Sequence, residues 1–188
     1  MTVDALIEAT ARILIRDGFD KASTNRIAGE AGVSIGSLYQ YYPNKEALVV
    51  AVIERHNRDL MAVARAALTK AAAEPLEVGV RRLVAAAIAA HRLDPNLHRV
   101  LAEQVPRTGA LEGVEAFNQE NYRLFHAYLE GHREEVRDLD LDLATFVCVN
   151  TIEALTHAAV LHRPDILSDQ AVGTLGDEAS RLVLGYLR

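Results

Sequence analysis

The sequence has 188 residues, of which 50% are hydrophobic and 5% aromatic, and its 20 Lys and Arg against 26 Asp and Glu give a net charge of −6. Abundant Ala and Leu with few aromatic residues favour packed helices over sheets, and a chain this apolar is not expected to be disordered. The single cysteine, Cys148, excludes an intramolecular disulfide and a cysteine-based metal cluster.

The N-terminal segment lacks the basic start and the continuous apolar core of a signal peptide, because Asp4, Glu8 and Arg12 interrupt it. No segment has the uninterrupted apolar length that a membrane span requires. We therefore expect a cytoplasmic protein without a membrane partner.

Charge is distributed unevenly along the chain. Residues 1–58 carry seven Lys or Arg and seven Asp or Glu, so the excess acid lies beyond them, and residues 31–44 carry no ionised side chain. Phosphate contacts need basic residues. The composition of this first part permits a DNA partner without predicting one.

The predicted elements begin with three helices, at 2–17, at 23–31 and at 34–42. Gly18 ends the first helix because glycine readily adopts positive φ. The hydroxyl of Ser23 or Thr24 can cap the second helix and that of Ser34 the third, which ends where Pro43 disfavours helical geometry in the residue before it.

Longer helices follow, at 45–72, 76–92, 95–104, 110–135, 141–162 and 169–187. Asp94 followed by Pro95 is a strong helix start, and a break is expected near Pro106 to Gly109. Nothing resembles a convincing strand. The pattern predicts an all-α protein with a small N-terminal head on a larger helical bundle.

The most informative segment is 23–42, which predicts two short helices joined at Gly32 and held together by apolar residues such as Ile27 and Leu38. The opposite face of its second helix is uncharged. Amide and hydroxyl groups can read base edges in the major groove, and the basic Lys45 suits a phosphate. Gly36 would let the helix backbone approach DNA closely.

This segment closely resembles the DNA-binding domain of the tetracycline-repressor (TetR) family. The resemblance covers about residues 2–55 and is carried by Gly18-Phe19, Ile27-Ala28, Ala31-Gly32-Val33-Ser34, Gly36-Ser37-Leu38-Tyr39, Tyr41-Tyr42-Pro43, Lys45-Glu46 and Leu48. It implies a helix-turn-helix DNA-binding domain at 1–45 and an effector-binding and dimerisation domain at 46–188. It also implies a homodimer, with the last two helices forming the dimer interface and the middle helices enclosing a pocket for a small effector that releases DNA.

On the matching positions, the resemblance implies DNA contacts by Ser34, Ile35, Gly36, Ser37, Tyr39, Gln40 and Tyr41, with Lys45 on a phosphate. Thr24 and Arg26 are further candidates. Arg26 departs from the usual pattern, because an acidic residue at its position often completes a capping box with the residue at Ser23. Two interpretations stay open: a weaker helix start, or a contact between Arg26 and a phosphate.

Beyond residue 60 the sequence offers candidates rather than motifs. Those for the effector pocket are Phe117, Tyr122, Phe125 and His126, with ordinary core packing as the alternative. Those for the dimer interface are Asn150, Glu153 and His157, which lie on one stripe of a predicted helix. Contact with an effector or with solvent stays open for this stripe.

The sequence gives little support for a metal site or a catalytic site. His157 and His162, like His126 and His132, lack the spacing of a helical zinc pair, and no phosphate loop or nucleophile motif is present. We therefore predict no metal, no cofactor and no enzymatic activity. The predicted function is a ligand-responsive repressor that binds a near-palindromic operator as a homodimer. The alternatives are an effector-binding or protein-interaction bundle without useful DNA affinity, and a helical enzyme.

Overall fold

The computed structural model describes the backbone of residues 2–108 and 111–188, and the side chains outside 103–113. Over these residues the chain is all-α, as predicted, with nine α-helices and no strand. The helices are α1 Thr2–Asp17, α2 Thr24–Ala31, α3 Ile35–Tyr41, α4 Lys45–Ala71, α5 Leu76–Leu93, α6 Pro95–Thr108, α7 Leu111–Gly131, α8 Leu141–His162 and α9 Val172–Leu187.

Two differences from the predicted bounds concern prolines. α6 continues through Pro106 to Thr108, so the break was predicted to begin too early. Gly109, the last residue of the predicted break, lies outside the described residues. Proline disfavours helical geometry in the residue before it without forbidding it. The segment before α9 contains a 3₁₀ turn, Pro164–Leu167, that the sequence did not predict.

The described residues form two compact units. The first takes those of 1–58 and 96–114, and the second those of 59–95 and 115–188, so α4 runs from one into the other. The first unit extends beyond residue 45 because Leu48, Val52 and Leu101 belong to its core. The boundary at residue 45, given above for a helix-turn-helix domain, stays a prediction.

The core of the first unit joins α1, α2 and α3. Leu14, Ile27 and Leu38 are fully buried there, one from each helix. Burying a side chain of this size contributes about 1.5–3 kcal/mol relative to leaving it exposed. These contacts determine which side of α3 faces inward.

In the second unit, α5 packs against α8 and α9, and α8 also contacts α9. Its core includes Leu76, Leu129, Val160 and Leu187. Among the described helices, α8 alone is long and apolar enough to cross a membrane, but nearly half of its most apolar window is buried in this unit. Because a core helix meets the same criterion, this is weak evidence for a membrane span.

Candidate DNA-binding surface and ligand cavity

A glycine turn joins α2 to α3. Gly32 adopts φ 68°, ψ 28°, in the left-handed region. Its N–H donates to the carbonyl of Gly29 at 3.2 Å, and the N–H of Val33 donates to that of Ala28 at 3.0 Å. This pair of bonds satisfies carbonyls at the end of α2, and a side chain with a Cβ would be strained at the turn.

A serine cap begins α3. The backbone of Ser34 is extended, and its Oγ accepts a hydrogen bond from the backbone N–H of Ser37 at 3.0 Å. The two serine hydroxyls lie 2.8 Å apart. The cap and the buried Leu38 together fix both the start and the rotation of this short helix.

The other side of α3 faces solvent. We call the seven predicted residues on this side the α3 ridge: Ser34, Ile35, Gly36, Ser37, Tyr39, Gln40 and Tyr41. Ser37 is partly buried and the other six are exposed. Tyr39 and Tyr41 keep 53% and 51% of their surface accessible, and Ile35 keeps 38%. The ridge therefore presents hydroxyl, amide, phenol and one methyl-bearing side chain, without an ionised group.

Gly36 lies in the ridge with space around it. A Cβ built at this position would meet only the Oγ of Ser34, at 3.8 Å, which is ordinary van der Waals contact. Packing within the protein therefore does not require a glycine here.

Thr24, the first residue of α2, is brought to the ridge. Its Oγ1 lies 3.1 Å from the phenolic oxygen of Tyr39. This contact places a second hydroxyl group beside the aromatic part of the ridge.

Arg26 connects α2 to the end of α1. Its guanidinium donates to Asp17 Oδ2 at 2.5 Å and to the carbonyl of Lys21 at 2.7 Å. Partial desolvation of Asp17 acts to raise its pKa, but hydrogen bonds from Arg16 and Arg26 lower it overall. The helix start is capped all the same, because Ser23 Oγ accepts the N–H of Arg26 at 3.3 Å. A contact between Arg26 and a phosphate stays a prediction.

Lys45 is held at the start of α4. Its Nζ donates to the carbonyl of Phe19 at 3.2 Å and lies 4.0 Å from the centre of the Phe19 ring. An ammonium group has three hydrogens to donate, so this bond leaves capacity for a phosphate. The preceding Asn44 caps α4 by accepting the N–H of Ala47 at 2.8 Å.

The second unit contains a partly open cavity of about 90 Å³. The described residues that line it all belong to this unit, on α4, α5, α7 and α8. Two of the predicted pocket residues, Phe117 and Phe125, line it. The other two, Tyr122 and His126, line a separate surface depression instead. The described polar residues of the cavity wall are His91, Asn121, Glu153 and Thr156. The sequence did not predict most of them for this role.

The stripe of Asn150, Glu153 and His157 does not share one environment. Asn150 is exposed, and its Nδ2 donates to the phenolic oxygen of Tyr122 at 2.8 Å. Glu153 lines the cavity, and burial raises its pKa. His157 is partly buried, and burial is the main cause of its lowered pKa. Their assignment to a dimer interface stays a prediction.

α8 and α9 expose large apolar side chains that the sequence analysis did not single out. Leu143, Phe146 and Leu155 of α8 and Leu182 of α9 are exposed. Leu155 and Leu182 line one common depression. The exposure of the three α8 residues cannot be read from the sequence, because α8 is apolar on most of its sides.

The glycine-hinged pair of short helices, with its exposed ridge, defines a helix-turn-helix DNA-binding protein. The comparisons agree. The family model "Bacterial regulatory proteins, tetR family" matches residues 6–52, and "Tetracyclin repressor-like, C-terminal domain" matches residues 75–187. The chain belongs to the TetR family of transcriptional regulators. Its family and fold point to a regulator rather than an enzyme.

Similar proteins include two solved structures. The fatty acid degradation regulator FadR from Bacillus halodurans is 22% identical, with a TM-score of 0.76 and coverage of 100% of this chain and 96% of that one. FadR from Bacillus subtilis, solved with stearoyl-CoA, is 16% identical, with a TM-score of 0.72 and coverage of 98% and 99%. At these identities the likeness concerns the fold.

A sequence relative is the nucleoid occlusion factor SlmA of Haemophilus ducreyi. It is 32% identical over 84 residues, which are 45% of this chain and 41% of that protein. The match thus spans less than half of either chain.

Proposed function

We propose that this protein is a cytoplasmic repressor that binds a near-palindromic operator as a homodimer and releases it when a small molecule enters the cavity of the second unit. The observation that carries the proposal is the exposed α3 ridge. An uncharged ridge of hydroxyl, amide and methyl groups on a helix fixed by Leu38 suits the major groove.

Individual ridge residues would have different tasks. Gln40 suits an adenine edge, because its amide can both donate and accept, and Ile35 suits a thymine methyl. The hydroxyls of Tyr39 and Tyr41, together with Thr24, suit phosphate oxygens. Lys45 adds the positive charge that the ridge itself lacks.

The proposed dimer uses α8 and α9. Leu155 and Leu182 share a depression on the exposed side of these helices, and exposed apolar surface of this kind often marks an interface. The side-chain oxygen of the exposed Asn150 suits the polar part of such an interface, since the nitrogen already donates to Tyr122 and to the carbonyl of Phe146. Two symmetry-related α3 helices would then read half-sites about one DNA turn apart, or slightly more.

A selection from random duplex DNA, followed by binding measurements, tests the proposal. We expect one inverted-repeat sequence to be enriched. Gln40→Ala should weaken binding to it by about 1–3 kcal/mol, which is about fivefold to 150-fold. Gln170→Ala removes an exposed amide from the second unit and serves as the matched control with unchanged affinity. All measurements use one salt concentration, because phosphate contacts make affinity depend on salt.

Failure of the selection to enrich any sequence would contradict the regulator and favour an effector-binding bundle without useful DNA affinity. Enrichment with unchanged affinity after Gln40→Ala and Tyr41→Ala would contradict the assignment of the ridge. Enrichment of a single half-site would contradict the dimer on a near-palindrome.

A further inference from the structure

The cavity of the second unit contains an acidic group in a mostly apolar wall. Residues such as Leu83, Phe125 and Ile152 form most of its surface, and Glu153 adds a carboxyl group. Among the described residues that line the cavity there is no lysine or arginine. A carboxylate in apolar surroundings is costly unless a positive charge or hydrogen-bond donors compensate it.

The neighbouring polar groups supply little compensation. Burial is the main cause of the lowered pKa of His91 and of His157, which favours neutral rings. The interaction between Glu153 and His157 acts to lower the pKa of Glu153, but burial of the carboxyl group outweighs it. His91 Nδ1 lies 2.8 Å from the carbonyl of Ala87 and donates to it, so Nε2 of the neutral ring is an acceptor. The hydroxyl of Thr156 lies 2.9 Å from the carbonyl of Ile152 and 3.0 Å from that of Glu153, and its proton is used there.

The described part of the lining is therefore rich in acceptors and poor in donors. The carboxyl group of Glu153 and the ring of His91 accept, and the amide of Asn121 supplies the remaining donor hydrogens of these polar side chains. A ligand that complements this wall has an apolar body and brings a donor of its own. An ammonium group satisfies both needs, because it donates up to three hydrogen bonds and neutralises the carboxylate.

We propose that the cavity binds an apolar molecule with a single basic amine, whose ammonium group pairs with the carboxylate of Glu153. This deepens the ligand response proposed above and rests on it. A fatty acid or another apolar anion would bring a second negative charge to a wall whose described residues include no lysine or arginine. The cavity of about 90 Å³ accommodates the charged end and the first carbons of such a molecule. The rest of the ligand's apolar body would extend toward the opening of the cavity.

A matched series of three probes tests the proposal on the full chain by calorimetry. n-Hexylamine, n-hexanol and hexanoate share a six-carbon body and differ in the charge of one end. A hydrogen-bonded buried ion pair is stronger than a hydrogen bond between neutral groups. We therefore expect hexylamine to bind about tenfold to a hundredfold more tightly than hexanol. Hexanoate should bind most weakly.

The variant Glu153→Gln keeps the size of the side chain and removes its charge. We expect the affinity for hexylamine to fall about tenfold or more, while that for hexanol stays within about threefold. Glu134→Gln, at an exposed position outside the cavity, should change neither. Thermal unfolding of both variants establishes that they are folded.

Absence of hexylamine binding at millimolar concentration, binding of hexanoate at least as tight, or equal affinities for hexylamine before and after Glu153→Gln would each overturn the proposal. The three probes alone decide this on the natural sequence if Glu153→Gln does not fold. Calorimetry uses no DNA and tests only the ligand class, whereas the selection from random DNA tests the proposed function. Each proposal can therefore fail without the other.

Discussion

Glycine at position 36 offers a direct test of how closely α3 approaches DNA. The substitution Gly36→Ala adds one methyl group to the α3 ridge. Gly29→Ala is a matched control, because Gly29 is likewise exposed and helical but lies on α2 outside the ridge. A Cβ at position 29 would meet no atom within 4 Å, and one at position 36 would meet only Ser34 Oγ at 3.8 Å.

The two substitutions should have different effects on stability and on DNA binding. Replacing glycine by alanine within a helix stabilises it by up to about 1 kcal/mol, which raises Tm by about 2–4 °C in a chain of this size. Neither methyl group meets a clash that offsets this gain. At a closely packed DNA interface, however, an extra methyl group costs about 1–3 kcal/mol, so Gly36→Ala should weaken operator binding about fivefold to 150-fold.

Thermal unfolding and fluorescence anisotropy with a labelled operator duplex measure the two effects separately. We expect both variants to be at least as stable as the natural sequence, with weakened DNA binding for Gly36→Ala alone. Operator affinity within about twofold of the natural sequence after Gly36→Ala, a difference of less than about 0.5 kcal/mol, would refute the close approach of the helix backbone. A similar loss for Gly29→Ala would show that the effect is not specific to the ridge.

Two predictions concern the second unit. Gly79→Ala would place a Cβ 2.2 Å from the phenolic oxygen of the buried Tyr128 and 3.2 Å from the backbone oxygen of Ala71, so urea unfolding should show a loss of about 1–3 kcal/mol. Gly173→Ala, whose Cβ meets nothing within 4 Å, should show none. Burial raises the pKa of the Cys148 thiol to about 12, so its thiolate fraction at pH 8 is about 10⁻⁴, and Ellman's reagent should react rapidly only after denaturation. Rapid reaction of the native protein would contradict this burial.

The helix-turn-helix was predictable because its determinants are close together in sequence. A capping bond joins residues about three positions apart, so the sequence alone contains both partners, as at Ser34 and Ser37. Gly18 and Gly32 are the glycines with positive φ among the described residues, and both were expected to end helices. Arg26 illustrates the opposite case, because its partner Asp17 is nine residues away on another helix. Their contact depends on how α1 and α2 pack, which local patterns do not specify.

The cavity was harder to predict because its wall combines α4, α5, α7 and α8. On α7, the two predicted pocket residues that line it are Phe117 and Phe125. The other two, Tyr122 and His126, belong to a different depression. Spacing along a helix shows which residues share a side of it, but it does not show which neighbouring helix covers that side.

The orientation of α8 explains why Asn150, Glu153 and His157, which share one stripe of the helix, lie in different environments. With 3.6 residues per turn, His157 lies within about 20° of Asn150 around the axis, whereas Glu153 lies about 60° away from Asn150. A helix that is apolar on most sides gives no strong moment to fix its rotation, so this difference has no visible consequence in the sequence. In the fold, about 60° is enough to leave Asn150 exposed and to bring Glu153 into the cavity wall. A carboxylate that is exposed to water is solvated and gives no indication of a ligand. A carboxylate in an apolar cavity wall carries a desolvation cost, and a ligand that removes this cost gains affinity from doing so.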